Sequence, residues 1–191
     1  MQRDDFDLLT VGEAAAQLSF GDGFFVQTEK PDTWWHFEVF GFKIYCYNFK
    51  WRQQALAYHD LHHVVTDYPR TMRGEMQVAT WEFAAGRFPN LFSNLFCLPL
   101  VALGVVVSPR ETFEAFERGK KSQSLFGQNI PIDVKNWPRR ALIALTTKIQ
   151  TPPSRGKNLK GFAMLSGLSF LEIAVLAVAV FGGVRALVGL L

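Results

Sequence analysis

The sequence predicts a mainly α-helical, membrane-associated bundle with a small N-terminal β-hairpin and a C-terminal transmembrane helix. Three observations predict it. Residues 161–191 form a run of 31 positions with only two charges, Glu172 and Arg185. Residues 53–66 and 71–86 carry helical patterning between Pro and Gly breaks. Finally, 49% of the chain is hydrophobic, 18 residues are Phe, and only 19% are charged, against about 25% in soluble domains. A length of 191 residues suits one domain with a real core.

Taken in order, "LLTVGEAAAQL" (8–18) reads as a short helix with Thr10 as its N-cap. "FGDGFF" (20–25) reads as a turn, because two glycines around an aspartate suit a turn better than a phosphate loop. "WWHFEVFGFKIYCYNFKW" (34–51) is rich in aromatic and β-branched residues and has Gly41 between two runs, which predicts the hairpin. His36 lies in it and reads as a surface or packing histidine. Pro69 disfavours a helical Tyr68 and separates the next two helices. The second of these ends on Gly86 as its C-cap.

Residues 88–109 hold no charge over 22 positions, interrupted by Asn90, Asn94, Pro99 and Gly104. The run reaches spanning length, and a core helix or an interfacial helix competes with a span. "RETFEAFERGKKSQSLF" (110–126) begins as an amphipathic helix with Phe113 and Phe116 on one face, and Gly119 is expected to break it. After a loop at 127–136, Pro138 suits the first turn of a helix through "RRALIALTTKIQ". "TPPSRGKNLK" (151–160) reads as a basic linker. The domain reading is therefore a helical metal-binding domain at 1–150, the linker at 151–160, and a membrane helix at 161–191. Glu172 costs a few kcal/mol inside a bilayer unless protonated or paired, so it is expected to face another helix, a dimer partner or a polar cavity.

Charge is uneven along the chain. Residues 1–40 hold eight carboxylates against two basic residues, a net −6, and 41–191 carry +9. Within these, 110–160 carry +7 and lie between the two most apolar runs. That placement favours an anionic bilayer face over nucleic acid, and no nucleic-acid partner is expected. The basic linker predicts, by the positive-inside rule, that residues 1–160 are cytoplasmic. The acidic N-terminus resembles neither a signal nor a transit peptide. The expected location is thus the bacterial inner membrane, with the main domain on its cytoplasmic side. Cys46 and Cys97 form no CxxC pair and read as reduced thiols.

The chemistry concentrates in "YHDLHHVVTDYPRTMRGE" (58–75), which holds three of the four histidines. On a helix, His59 and His63 lie one turn apart on one face, the spacing by which two imidazoles reach one metal ion. Asp60 sits about 100° around the helix from His59 and is read as an oxygen ligand or a hydrogen-bonding support. His62 is a reserve ligand. A short loop can return the Glu75 carboxylate to the pair. Two His with one or two carboxylates suit a divalent metal, Zn²⁺ above all, with Fe²⁺ or Mn²⁺ as alternatives. The competing reading is a polar stretch of an ordinary helix. A membrane desaturase needs more histidine boxes than four histidines supply, and a gluzincin protease needs HExxH where Asp60 stands.

The pattern HDxxH, eleven residues, then E resembles the zinc motif of the coenzyme Q biosynthesis protein 4 family. "HDLHHVVTDY" followed by "RGE", and "FERGKKSQSLF" with its R-G-x-x-S-x-x-L spacing, carry the likeness over about residues 50–127. The resemblance implies His59, Asp60, His63 and Glu75 as metal ligands. It implies membrane-associated ubiquinone or prenyl-lipid metabolism, with oxidative removal of the C1 carboxyl from a polyprenylated aromatic precursor. It also implies an apolar groove for the prenyl tail. The basic cluster Arg118, Lys120 and Lys121 is read as holding an anionic headgroup or the lipid surface, against the plainer reading of a solvated face. Asp67 stands where the family usually has Gly, and neither the hairpin nor the C-terminal span is a feature of the family.

Two function classes follow. One is a metal-dependent lyase or oxidative decarboxylase, in which Asp60 or Glu75 moves a proton. The other is a non-catalytic prenyl-lipid-binding scaffold that organises a biosynthetic complex, alone or as a homodimer. The sequence holds no GxSxG, Cys–His pair or Walker loop, so an enzyme here depends on its metal.

Overall fold

A computed structural model describes residues 8–18, 33–39, 42–86, 88, 90–148 and 154–188. The protein is mainly α, with seven α-helices among the described residues, the last long and apolar. The turn at 20–25, residues 40–41 between the expected strands, and 151–153 of the expected linker lie outside the described residues. So does the side chain of His36.

Helix α1 (Val11–Gln17) starts at Thr10, whose hydroxyl accepts from the Glu13 N–H at 3.2 Å while Glu13 accepts the Thr10 N–H at 2.8 Å. This reciprocal capping satisfies two otherwise orphaned donors. Strands β1 (Trp34–Val39) and β2 (Phe42–Tyr47) pair antiparallel, with Phe37 opposite Ile44. Helix α2 (Lys50–Thr66) then begins three residues earlier than the sequence suggests. Its Ala57, Leu61, Val64 and Val65 follow i, i+4, i+7, i+8 spacing and enter the main core with Val11, Ala14, Leu125, Val134 and Leu142. Each such buried aliphatic side chain contributes about 1.5–3 kcal/mol.

Helix α3 (Met72–Ala85) runs from the Thr71 N-cap to Gly86, as the sequence predicts. Helix α4 (Leu91–Val107) is capped by Asn90, which accepts the Ser93 N–H at 2.8 Å, and contains Pro99. Helix α5 (Pro109–Lys120) packs tightly on α3. Gly119 does not break α5. A Cβ there would lie 2.4 Å from the Trp81 carbonyl, so the glycine serves close helix approach. A 3₁₀ turn (Ile132–Asn136) and helix α6 (Arg139–Thr146) complete the domain.

Helix α7 (Arg155–Val188) begins inside the expected linker. The Asn158 N–H donates to the Ser154 carbonyl at 3.0 Å, so 155–160 are already helical. Its first turns are held against α5 by Phe162, whose ring lies 5.2 Å from Phe113 and 5.6 Å from Phe116. These contacts give the residues after the two prolines a reason to be ordered. From Arg155 to Gly182, α7 is long and apolar enough to cross a membrane, and little of it is buried.

Candidate metal centre

Helices α2 and α3 face one another across the histidines. The loop between them is set by two backbone features. Asp67 adopts φ +62°, the left-handed cap of α2, and its N–H donates to the His63 carbonyl at 2.9 Å. Gly74 lets the first turn of α3 press against the loop, for a Cβ there would lie 1.8 Å from the Pro69 carbonyl. That close return carries Glu75 back over the α2 imidazoles.

The geometry brings together His59, His63 and Glu75. The two Nε2 atoms are 3.2 Å apart. Glu75 Oε2 is 3.0 Å from His59 Nε2, and its Oε1 is 3.4 Å from His63 Nε2. A tetrahedral ion with bonds of about 2.0–2.1 Å separates its ligands by about 3.3 Å. The imidazole pair matches that edge, Glu75 meets the two rings with different oxygens, and with one atom from each residue the three lie within 4.8 Å, so the group could hold a metal ion.

The hydrogen-bond partners fix which nitrogens carry protons. His63 Nδ1 lies 2.7 Å from the Tyr68 carbonyl, which only accepts, so Nδ1 donates. His59 Nδ1 sits 3.0 and 3.1 Å from the two oxygens of Glu82, and again Nδ1 donates. With Nδ1 donating, each Nε2 turns toward the other ring and toward a carboxylate. Two ring nitrogens and a carboxylate converge, and positive charge between them, a metal ion or a proton on an imidazole, is what reconciles them.

Electrostatics agree. Burial alone would raise both carboxyls. Hydrogen bonds from His59 and His63 instead hold Glu75 well below the carboxylate range, and His59 and His62 draw Glu82 down to about 2. Burial opposes a charged His59, but Glu82 and Glu75 outweigh it and raise its pKa well above the imidazole value. Without a metal, a proton fills this place. The side chains of Glu82 and His63 are fully buried and that of Glu75 is 29% exposed, so the group is reached from the Glu75 side.

Asp60 stands apart from this group. It is buried, but it supplies no atom to the converging group, because one residue of helix turns it about 100° from His59. His62 is not a reserve ligand either. Its Nδ1 donates to Glu82 at 2.6 Å, and its Nε2 accepts the Leu125 N–H at 2.8 Å. Burial lowers its pKa, only partly offset by Glu82, in keeping with a neutral ring.

Glu82 is the residue that sequence reasoning passed over. It bridges His59 and His62, and a carboxylate behind a histidine that could ligate a metal fixes its tautomer and raises its basicity. Its signal was present, since Glu82 follows Glu75 by seven residues and so lies on the same helix face.

The basic cluster also needs correction. Arg118 donates to the Thr66 and Val65 carbonyls and stacks over the Tyr68 ring at 5.5 Å, so it caps α2 and is not available to a headgroup. Lys120 lies over the Phe116 ring at 6.0 Å, and Lys121 is exposed.

No family model, curated protein or solved structure matches the chain.

Proposed function

We propose that the protein is a metal-dependent, membrane-associated enzyme of prenyl-lipid metabolism, acting on a polyprenylated aromatic acid by removal of its C1 carboxyl. The convergence of His59, His63 and Glu75 on one point carries this reading. The likeness of "HDLHHVVTDY…RGE" to the coenzyme Q biosynthesis protein 4 motif supports it, with three of the four implied ligands in the group. The apolar α7 supports a membrane location, and we place the domain on the cytoplasmic face of a bacterial inner membrane.

A divalent ion, zinc first, supplies positive charge against which the charge left on the ring by loss of CO₂ is stabilised. The chain's own residues do the rest. His59 and His63 present Nε2, held in that tautomer by Glu82 and the Tyr68 carbonyl. Glu75, the most exposed of the three, lies on the side from which substrate and the proton that replaces CO₂ reach the group. Helix α7 keeps the site beside the layer in which a prenylated substrate dissolves.

The test is elemental analysis of detergent-purified protein together with CO₂ release from a polyprenylated benzoate. Bound metal with turnover, and loss of both in His63→Ala, is the expected result. Co-purified prenyl lipid with no turnover in the metal-loaded protein would leave the scaffold reading in its place. Metal undiminished in His63→Ala would overturn the site.

A further inference from the structure

Helices α4 and α7 lie side by side, and the point where they meet fixes their relative level. Pro99, midway along α4, shares an open cleft of about 560 Å³ with Ile173, Leu176, Ala177, Val180 and Phe181 of α7. The middle of α4 is therefore level with the middle of the apolar run of α7. If that run lies in a bilayer, α4 stands at the same depth.

The surface of α4 is built for that depth. Leu91, Phe92 and Phe96 at one end and Val106 and Val107 at the other are each 52–69% exposed. No charged residue occurs from 88 to 109. The opposite side is a packed interior. Ser93, Val101, Ala102 and Gly104 are buried, and a Cβ on Gly104 would lie 2.7 Å from the Thr112 hydroxyl and 3.3 Å from the Met76 side chain. One side of α4 thus belongs to α3 and α5, and its other side has a large apolar surface continuous with that of α7.

Length and connection decide how α4 sits. Its 17 residues extend about 25 Å at 1.5 Å per residue, short of the roughly 30 Å hydrocarbon layer. The helices before and after it, α3 and α5, pack on each other more closely than any other helix pair. Both ends of α4 therefore return to one polar domain.

We propose that α4 is immersed in the bilayer beside α7 and enters and leaves on the side of the helical domain, with acyl chains covering its outer face. A helix satisfies its own backbone groups and tolerates that solvent. Gly104 of α4 packs against Met76 of α3, the residue next to Glu75. Immersion then brings the candidate metal centre to the edge of the hydrocarbon layer, where a membrane-dissolved substrate approaches sideways. That last consequence rests on the functional reading above. The immersion itself rests only on α7 as a span.

Single cysteines carrying an environment-sensitive fluorophore test it, in a full-length background with Cys46→Ser and Cys97→Ser. The sites are Phe92→Cys, Val106→Cys, Val178→Cys on α7 and Arg140→Cys on the exposed side of α6. The protein is placed in phosphatidylcholine and phosphatidylglycerol vesicles. Labels at 92, 106 and 178 should lose fluorescence to lipids brominated mid-chain and resist aqueous iodide, and the label at 140 should do the reverse. Quenching of 92 and 106 by iodide, with 178 quenched by brominated lipid, overturns the immersion of α4 and leaves the span. Iodide quenching at 178 overturns the span and the proposal with it. Protection of 92 and 106 from both quenchers, with label-to-label energy transfer, shows that a second copy covers α4 and overturns it too. Elemental analysis of the same vesicles separates this outcome from failure of the metal reading.

Discussion

The buried guanidinium of Arg139 pairs with the carboxylate of Asp67, the residue that turns the end of α2 in the left-handed conformation. Arg139 also donates to the Val64 carbonyl at 2.8 Å and the Val65 carbonyl at 3.4 Å. A single side chain therefore caps the helix that bears both metal-facing histidines and pins the turn leading to the Tyr68 carbonyl. Where the resembling family usually has Gly, this chain has Asp, a residue with a modest cost in that conformation, and the ion pair offsets the cost.

Arg139→Met should therefore destabilise the protein by about 3 kcal/mol, because it removes the Asp67 ion pair and takes the Arg139 donor from the Val64 carbonyl, while Arg118 still serves the Val65 carbonyl. Asp67→Ala should cost about 1 kcal/mol more than Asp67→Gly, since both lose the pair and only alanine is strained at positive φ. Denaturant unfolding of the three variants in matched detergent checks both. Equal stability of the Ala and Gly variants would remove the argument from backbone strain.

Glu82→Gln should weaken metal binding about 10- to 100-fold without abolishing it. The amide keeps the shape but removes the charge that His59 and His62 both donate to. Competition with a chromophoric chelator measures the change, and His63→Ala, which removes a ligand itself, should bind no metal in the same assay.

His62→Gln should retain more metal affinity than His62→Leu. The amide can donate toward Glu82 and accept the Leu125 N–H, whereas leucine leaves the Leu125 N–H unpaired in a fully buried place and Glu82 with His59 alone. The same chelator titration decides it, and equal affinities would show that His62 only fills space between Trp81 and Phe126.

The pH dependence should differ in sign with and without metal. The pKa of His59 is raised in the folded metal-free protein, so its contribution is fully present below the unfolded value of 6.5 and is lost as pH rises through the folded pKa. Glu75 and Glu82 are lowered, so theirs is present above the unfolded value of 4.5 and is lost as pH falls. Metal-free protein should lose thermal stability above 6.5 as the His59 contribution goes, and below it as the lowered His62 and then, under 4.5, the two carboxylates take theirs away. Metal displaces the His59 proton, so its affinity should rise about tenfold per pH unit until that proton is gone. Thermal melts across pH, with chelator and with excess zinc, read both slopes.

Much of the fold was written locally. Thr10, Thr71 and Gly86 marked helix ends because capping is chemistry between neighbours. His59 and His63 were legible as a pair because helical spacing alone makes them share a face. Glu75 was legible as the residue that a short loop returns. Asp60 stands apart from the group because adjacency in sequence means separation around a helix. Arg118 and Arg139 were illegible as caps, since their acceptors lie 52 to 75 residues away and only tertiary packing brings them near. Gly119 was mistaken for a breaker because its neighbour, the Trp81 backbone, is invisible in one dimension.

The inner wall of the cluster ends on a main-chain group, the N–H of Leu125 held by His62. Side-chain replacements at 125 alter volume and polarity while every ordinary residue keeps that donor. The polar chain behind the histidines is thus sheltered from sequence drift in the loop, and proline, which carries no N–H, is the substitution at 125 that would cut it.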